Sequence, residues 1–129
     1  MINEAICLSF IMFGEARGEP DLGKVAVAYT AINRKADPNY PKSICEIMKQ
    51  KSQYQFFDYG LPTQTQVAYL MPLADAILKG KISDPTRGAK WFHTKNMKPY
   101  WAKDKTVKLA FNNRQIMQWY QDNYKIISQ

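Results

Sequence analysis

Near the start of the chain, apolar residues fall close to helical spacing. Ile2, Ile6, Phe10 and Phe13 make one side, and Leu8, Ile11 and Met12 fill the other. A helix apolar nearly all round belongs at the centre of a core. It runs into Gly14 and Glu15 and is expected to end by Gly18. Pro20 suits the first turn of the next helix, whose apolar face is Leu22, Val25, Tyr29 and Ile32 and which runs to about Lys35. The span 37–42 contains two prolines and reads as a loop.

Ser43 and Glu46 have capping-box spacing and open a short helix carrying Ile44, Ile47 and Met48. The aromatic-rich span 53–60 reads as a strand or an ordered loop. Val67, Leu70, Met71, Ala74, Ile77 and Leu78 fit the helical template, with Gly80 as C-cap. Pro72 falls inside this pattern, so the helix either kinks or begins there. Asp84-Pro85-Thr86-Arg87-Gly88 is a turn, and Trp91-Phe92-His93 a short strand leading into an irregular aromatic segment through Trp101. Val107, Ala110, Phe111, Met117 and Tyr120 predict a last amphipathic helix from Asp104 to about Tyr124. The expected fold class is α+β, mostly helical with a small β-sheet or hairpin around a buried helix. With no repeat and no linker, residues 1–129 read as a single domain.

Composition narrows the function. Apolar residues make up 46% and charged residues 22%, which argues against disorder. No stretch approaches the ~18 unbroken apolar residues of a membrane span, so no membrane insertion is expected. Ala5 to Phe13 lies where the apolar core of a signal peptide would lie. Its flank is acidic (Glu4) and no small-residue cleavage site follows, so it reads as a buried helix and no signal peptide is expected. The formal charge of +7 points to a polyanionic partner, whether nucleic acid, anionic membrane or bacterial cell wall; the alternative is a solubility charge with no partner. His93 is the single histidine, and Cys7 and Cys45 are the two cysteines. A zinc site of the usual kind would consume almost all three, so zinc peptidases and amidases are poor candidates. Two cysteines are compatible with one disulfide or with two buried thiols.

The segment Gly14-Glu15-Ala16-Arg17-Gly18-Glu19-Pro20 gathers two carboxylates and an arginine where the apolar helix ends. A carboxyl in that position is partly desolvated, which favours its neutral form, as a general acid near neutral pH requires. The ordinary alternative makes Glu15 a surface residue and Glu19 a first-turn charge of the next helix. For Glu19 an ion pair with a lysine or with Arg17 is expected.

This block resembles the cell-wall hydrolase family of the spore cortex-lytic enzymes, the SleB type. The resemblance begins at Cys7-Leu8 and continues with Gly23, Val25-Ala26-Val27-Ala28, Asn33-Arg34, Tyr40-Pro41 and Ile44-Cys45. It extends through Gln55-Phe56, Asp84-Pro85-Thr86, Gly88-Ala89, Phe92-His93, Pro99 and Trp101, collinear over nearly the whole chain. It implies a lysozyme-like fold and cleavage of the N-acetylmuramic acid to N-acetylglucosamine β-1,4 bond of peptidoglycan. The better-studied members behave as lytic transglycosylases with the first glutamate of the block as the catalytic residue, and the resemblance implies that role for Glu15. A small basic chain of this kind is similar to compact bacteriophage endolysins and virion lysins. The resemblance also suggests a Cys7–Cys45 disulfide. It implies no cofactor and no metal.

One glutamate suffices for a transglycosylase, acting first as acid and then as base. A hydrolytic muramidase needs a second carboxylate, for which Asp58 is the candidate. The family often has Asp-Gly a few residues after its Gln-Phe; here Tyr59 intervenes and the spacing is shorter. Gln55, Tyr59, Trp91, His93, Tyr100 and Trp101 are expected to line the groove, with aromatic planes stacking on sugar faces. The partner expected is bacterial peptidoglycan, with no nucleic acid, and the protein is expected as a monomer. It would be made in the cytoplasm and act in the periplasm or wall, after passing a pore or inside a phage particle.

Two rivals use the same residues. Cys45 near a helix N-terminus with His93 downstream outlines a Cys–His wall peptidase or amidase, although no nucleophile signature surrounds Cys45. Trp91, Lys95, Lys98, Tyr100, Trp101 and Lys103 interleave aromatics with charge, as in a single-stranded nucleic-acid-binding domain, although no recognition motif accompanies them.

Overall fold

The structure is a computed structural model that describes residues 3–16, 18–50, 60–94, 105–111 and 117–122. For 93–94 and the two last spans it describes the main chain alone. Helix α1 (Glu4–Ala16) is the axis. Ala5, Cys7, Leu8, Ser9, Phe10, Ile11 and Met12 are all buried, consistent with an apolar pattern that leaves no polar face. Ser9 is accommodated because its hydroxyl donates to the carbonyl of Ala5 at 2.8 Å. Around α1 pack α2 (Asp21–Lys35), α3 (Ile44–Met48), α4 (Gln64–Val67) and α5 (Met71–Leu78).

The helix ends follow local chemistry. Pro20 takes the N-cap position of α2, one residue before its expected place in the first turn. Ser43 caps α3 by accepting from the amide of Glu46. Thr63 and Gln66 form a full capping box at α4, a signal overlooked in the sequence. Pro72 settles at the start of α5, after a single 3-10 turn over Ala68–Leu70, so the pattern around residue 70 breaks rather than bends. Gly80, at φ +74, closes α5. The amide of Gly80 reaches Ile77 O and that of Lys81 reaches Ala76 O, at 3.0 and 2.9 Å, which is the Schellman arrangement.

Three links fasten the start of α1. Cys7 and Cys45 form a disulfide that joins α1 to α3. One oxygen of Glu4 pairs with Lys35 of α2 at 2.7 Å. The other accepts the amide of Ile44 at 2.8 Å. Burial pushes the Glu4 carboxyl up, but the hydrogen bonds from Lys35 and Ile44 and the lysine charge outweigh it, leaving it below its ordinary value.

Strand β1 (Trp91–Thr94) follows the helices, as the Trp-Phe-His run predicts. Among the described residues, the final helix expected over Asp104 to Tyr124 is absent. In its place β2 (Lys105–Phe111) and β3 (Met117–Asp122) form a three-stranded antiparallel sheet with β1, in the order β1-β3-β2. The register pairs Trp91 with Tyr120 and Phe92 with Trp119 on one side of β3, and Val107 with Tyr120 and Leu109 with Trp119 on the other. A bulge between Val107 and Leu109 shifts the β2 ladder. The helical reading rested on Val107, Ala110 and Phe111, but Val107, Leu109 and Phe111 also alternate. β-branched and aromatic residues there favour pairing over a local helix. Asn112-Asn113, poor helix-interior residues, stand between the two strands in sequence. No helix of the described residues is long and apolar enough to cross a membrane.

Candidate active site

Glu15 lies in the last turn of α1 and is partly buried. Helix α1 is set by the core, so the place of Glu15 is set by the core as well. The chain then folds back: the amide of Glu19 donates to Ala16 O at 3.0 Å, and α2 begins at Asp21. The two glutamates of the block therefore flank one tight turn between the central helix and its main packing partner. Arg17 lies outside the described residues.

Glu19 corrects an expectation. Instead of an exposed first-turn charge or an ion pair with a lysine, it is 3% exposed, and neither carboxylate oxygen has a hydrogen-bond partner among the described residues, which do not include Arg17. The buried Lys24 sends its ammonium to the main-chain carbonyl of Glu19, not to the carboxylate. The capping pull of a helix N-terminus on a carboxylate gives way here to the packing of the turn against the core.

Against the C-terminal part of α2 lies a pinned loop. One oxygen of Asp84 accepts the amide and hydroxyl of Thr86 at 2.8 and 2.7 Å. The other accepts the amide of Gly88 at 3.0 Å and the side-chain amide of Asn33 at 2.9 Å. Asn33 also donates to Ala89 O at 2.9 Å. These bonds hold Arg87 at φ +58, in the left-handed region. Tyr29 of α2 donates its hydroxyl to Ile82 O. Burial, and then the nearby Asp84 charge, push the Tyr29 phenol above its usual range.

The loop delivers the chain to β1. Lys90 forms a buried ion pair with Asp37 at 2.9 Å, and its carbonyl accepts from Arg34 Nε at 2.7 Å. The Arg34 guanidinium lies over the rings of Trp91 and Tyr40, 4.7 and 5.3 Å from their centroids. None of Asn33, Arg34, Asp37 or Lys90 was assigned a role from sequence. The available signal was a charged pair at the end of an amphipathic helix, with Asp-x-Thr-x-Gly turn chemistry downstream.

Of the predicted site residues, Glu15 sits at the end of α1 and Trp91, partly exposed, opens β1. His93 pairs with Gln118 in the sheet register. Gln55, Asp58, Tyr59, Tyr100 and Trp101 lie outside the described residues, as does most of the span 53–60. Cys45 is bonded to Cys7, so it offers no thiolate, and the Cys–His peptidase outline fails on that sulfur. Among the described residues no group of three His, Cys, Asp or Glu side chains is placed to hold a metal ion.

Comparison with known proteins completes the picture. No curated protein matches the chain at a significant level. Two solved structures share its fold. The catalytic domain of the germination-specific lytic transglycosylase SleB from Bacillus anthracis superposes with a TM-score of 0.72 at 21% identity, covering 94% of this chain and 96% of that one. The catalytic domain of the Bacillus cereus SleB protein gives 0.69 at 20% identity, covering 92% and 90%. The sequence pattern of the cell wall hydrolases matches residues 18–124, starting just beyond Glu15 and taking in the Asn33–Asp84 loop, the Arg34 cluster and the sheet. With most of its length matched, the chain belongs to the cell wall hydrolase family.

Proposed function

We propose that this protein cleaves the β-1,4 bond between N-acetylmuramic acid and N-acetylglucosamine in peptidoglycan, as a lytic transglycosylase with Glu15 as its catalytic residue. The observation that carries the reading is family membership, joined to a partly buried glutamate at the end of the buried central helix. The fold likeness to the catalytic domain of a lytic transglycosylase supports the choice of reaction. We read the arrangement of helices around α1 with one small sheet as lysozyme-like.

Neutral Glu15 donates its proton to the glycosidic oxygen, and the C1–O bond breaks through an oxocarbenium-like state. The N-acetylglucosamine unit leaves with that proton as a new hydroxyl. The ionised Glu15 then takes the proton of the muramic acid C6 hydroxyl as its oxygen bonds to C1. A 1,6-anhydro ring closes and Glu15 is neutral again, so no water is consumed and no second carboxylate is needed. The net charge of +7 favours dwelling on an anionic wall. We place the protein at the bacterial wall as a monomer, reaching it through a membrane pore or in a phage particle.

The test is mass spectrometry of soluble products from purified peptidoglycan, run beside Glu15→Gln. Products ending in 1,6-anhydro-muramic acid are expected. Glu15→Gln should lower the rate by at least about a hundredfold, the usual worth of a positioned general acid–base. Reducing muramic acid ends would replace the mechanism with hydrolysis and turn attention to Asp58. Free peptides with intact glycan, or a Glu15→Gln enzyme at full rate, would overturn it.

A further inference from the structure

Arg34 occupies the last turn of α2 and is 5% exposed. A guanidinium is seldom buried unless its donors and its charge are engaged. Here Nε donates to Lys90 O at 2.7 Å. The planar cation lies over two aromatic rings, with Trp91 at 4.7 Å and Tyr40 at 5.3 Å, both within the range of cation–π attraction. Lys90, the residue before β1, is held twice. Its carbonyl is bound by Arg34, and its ammonium by Asp37 at 2.9 Å, with side-chain exposures of 7% and 1%. Both partners come from the end of α2 and the turn after it. The sheet sets the hydrogen-bond register of Trp91, and the Arg34 guanidinium lies over its indole ring.

Trp91 keeps part of its surface in solvent. An aromatic ring that is exposed on one part and clamped on another suits stacking against the C–H face of a sugar. A ring already held gives up little rotamer freedom when a ligand docks on it.

We propose that Arg34 is a positioning residue that fixes Trp91 as a stacking platform for a sugar unit of the glycan strand. The proposal rests on the glycan-cleaving reading given above. Arg34 itself does not touch the substrate in this scheme; it acts through the indole. Lysine cannot replace it, because a point charge lacks both the plane that stacks and the fork that reaches Lys90 O at the same time.

A double-mutant cycle tests this with solubilised, uncrosslinked peptidoglycan glycan strands as substrate. KM and kcat are measured for wild type, Arg34→Lys, Trp91→Ala and the double variant. Arg34→Lys should raise KM about three- to tenfold, the cost of ordering one side chain, with the larger change in KM rather than kcat. Trp91→Ala should raise KM at least as much. In the Trp91→Ala background Arg34→Lys should add nothing, because its route to the substrate has been removed. A purely structural role would instead give multiplying effects and a lowered kcat, and that result overturns the proposal. Should Arg34→Lys fail to fold, Tyr40→Leu removes one ring of the stack, and its KM effect should likewise vanish in the Trp91→Ala background. An unchanged KM for Trp91→Ala overturns the proposal on its own while wild-type cleavage leaves the assigned activity standing. A wild-type protein that releases no glycan fragments removes the activity and this inference together.

Discussion

Reduction of the Cys7–Cys45 bond should cost this protein a large share of its stability. The bond spans 38 residues and closes a loop that contains all of α2. For that separation the chain-entropy relation gives about 13 cal/mol/K, or about 4 kcal/mol at 25 °C, withdrawn from the denatured state. Domains of this size have only about 5–15 kcal/mol in total. Reduction is a cleaner perturbation than substitution, since Cys7 is fully buried and reduction leaves its side chain in the core. Urea titrations of oxidised and reduced protein, followed by far-ultraviolet circular dichroism, measure the difference directly. With a slope of about 1.5–2 kcal/mol/M, the midpoint should fall by about 2–3 M. The slope itself should rise on reduction, because an uncrosslinked denatured chain exposes more surface. Midpoints within about 0.5 M of each other would refute the reasoning, since the crosslink would then be doing little to restrain the denatured chain.

Other consequences are equally open to measurement. Glu19→Met removes a buried carboxylate that has no partner among the described residues, so Tm should rise by about 3–8 °C; a marked fall would show that the carboxylate is engaged in the folded state. Arg87→Gly relieves a left-handed backbone at φ +58 and should add about 0.5–1 kcal/mol in a urea titration, whereas lost stability would contradict the pinned-loop geometry. Glu4 is held below its ordinary 4.5, so its contribution is present above that value and disappears as pH falls through the lower folded one. The pair is about one-third exposed, so Glu4→Gln should cost only about 0.5–1 kcal/mol near neutral pH and progressively less as pH falls below 4.5 through the lower folded value; a cost undiminished in acid would show that the charge is not its source.

How much of this was legible in the sequence depended on whether a residue's neighbours in space were also its neighbours in the chain. Helices α1 to α3, the Gly80 terminus and the Trp91 strand announce themselves through local spacing and caps. The sheet does not, because β1 must find its partner β3 from more than twenty residues away, and a span such as 105–111 satisfies a helical and an extended pattern at once. Glu15 stood out as a carboxylate ending an apolar helix and through its motif. Glu19 misled because charge near a helix start normally faces water, and only the fold-back at Ala16 shows that it does not. Arg34 and Asp37 look like an ordinary helix terminus until Lys90 and Trp91 are brought against them from far along the chain.

The strand order has a consequence for how the molecule is assembled. Because β3 lies between β1 and β2, neither of the earlier strands has its neighbour when it first leaves the ribosome. The helical body around α1 is made of elements close in sequence and can form early, while the sheet waits for its keystone. Until β3 arrives, β1 carries an unsatisfied main-chain edge. Synthesis interrupted before residue 117 would therefore yield a helical core with a sheet that cannot close, and the partly exposed Trp91 would be presented by a lone strand.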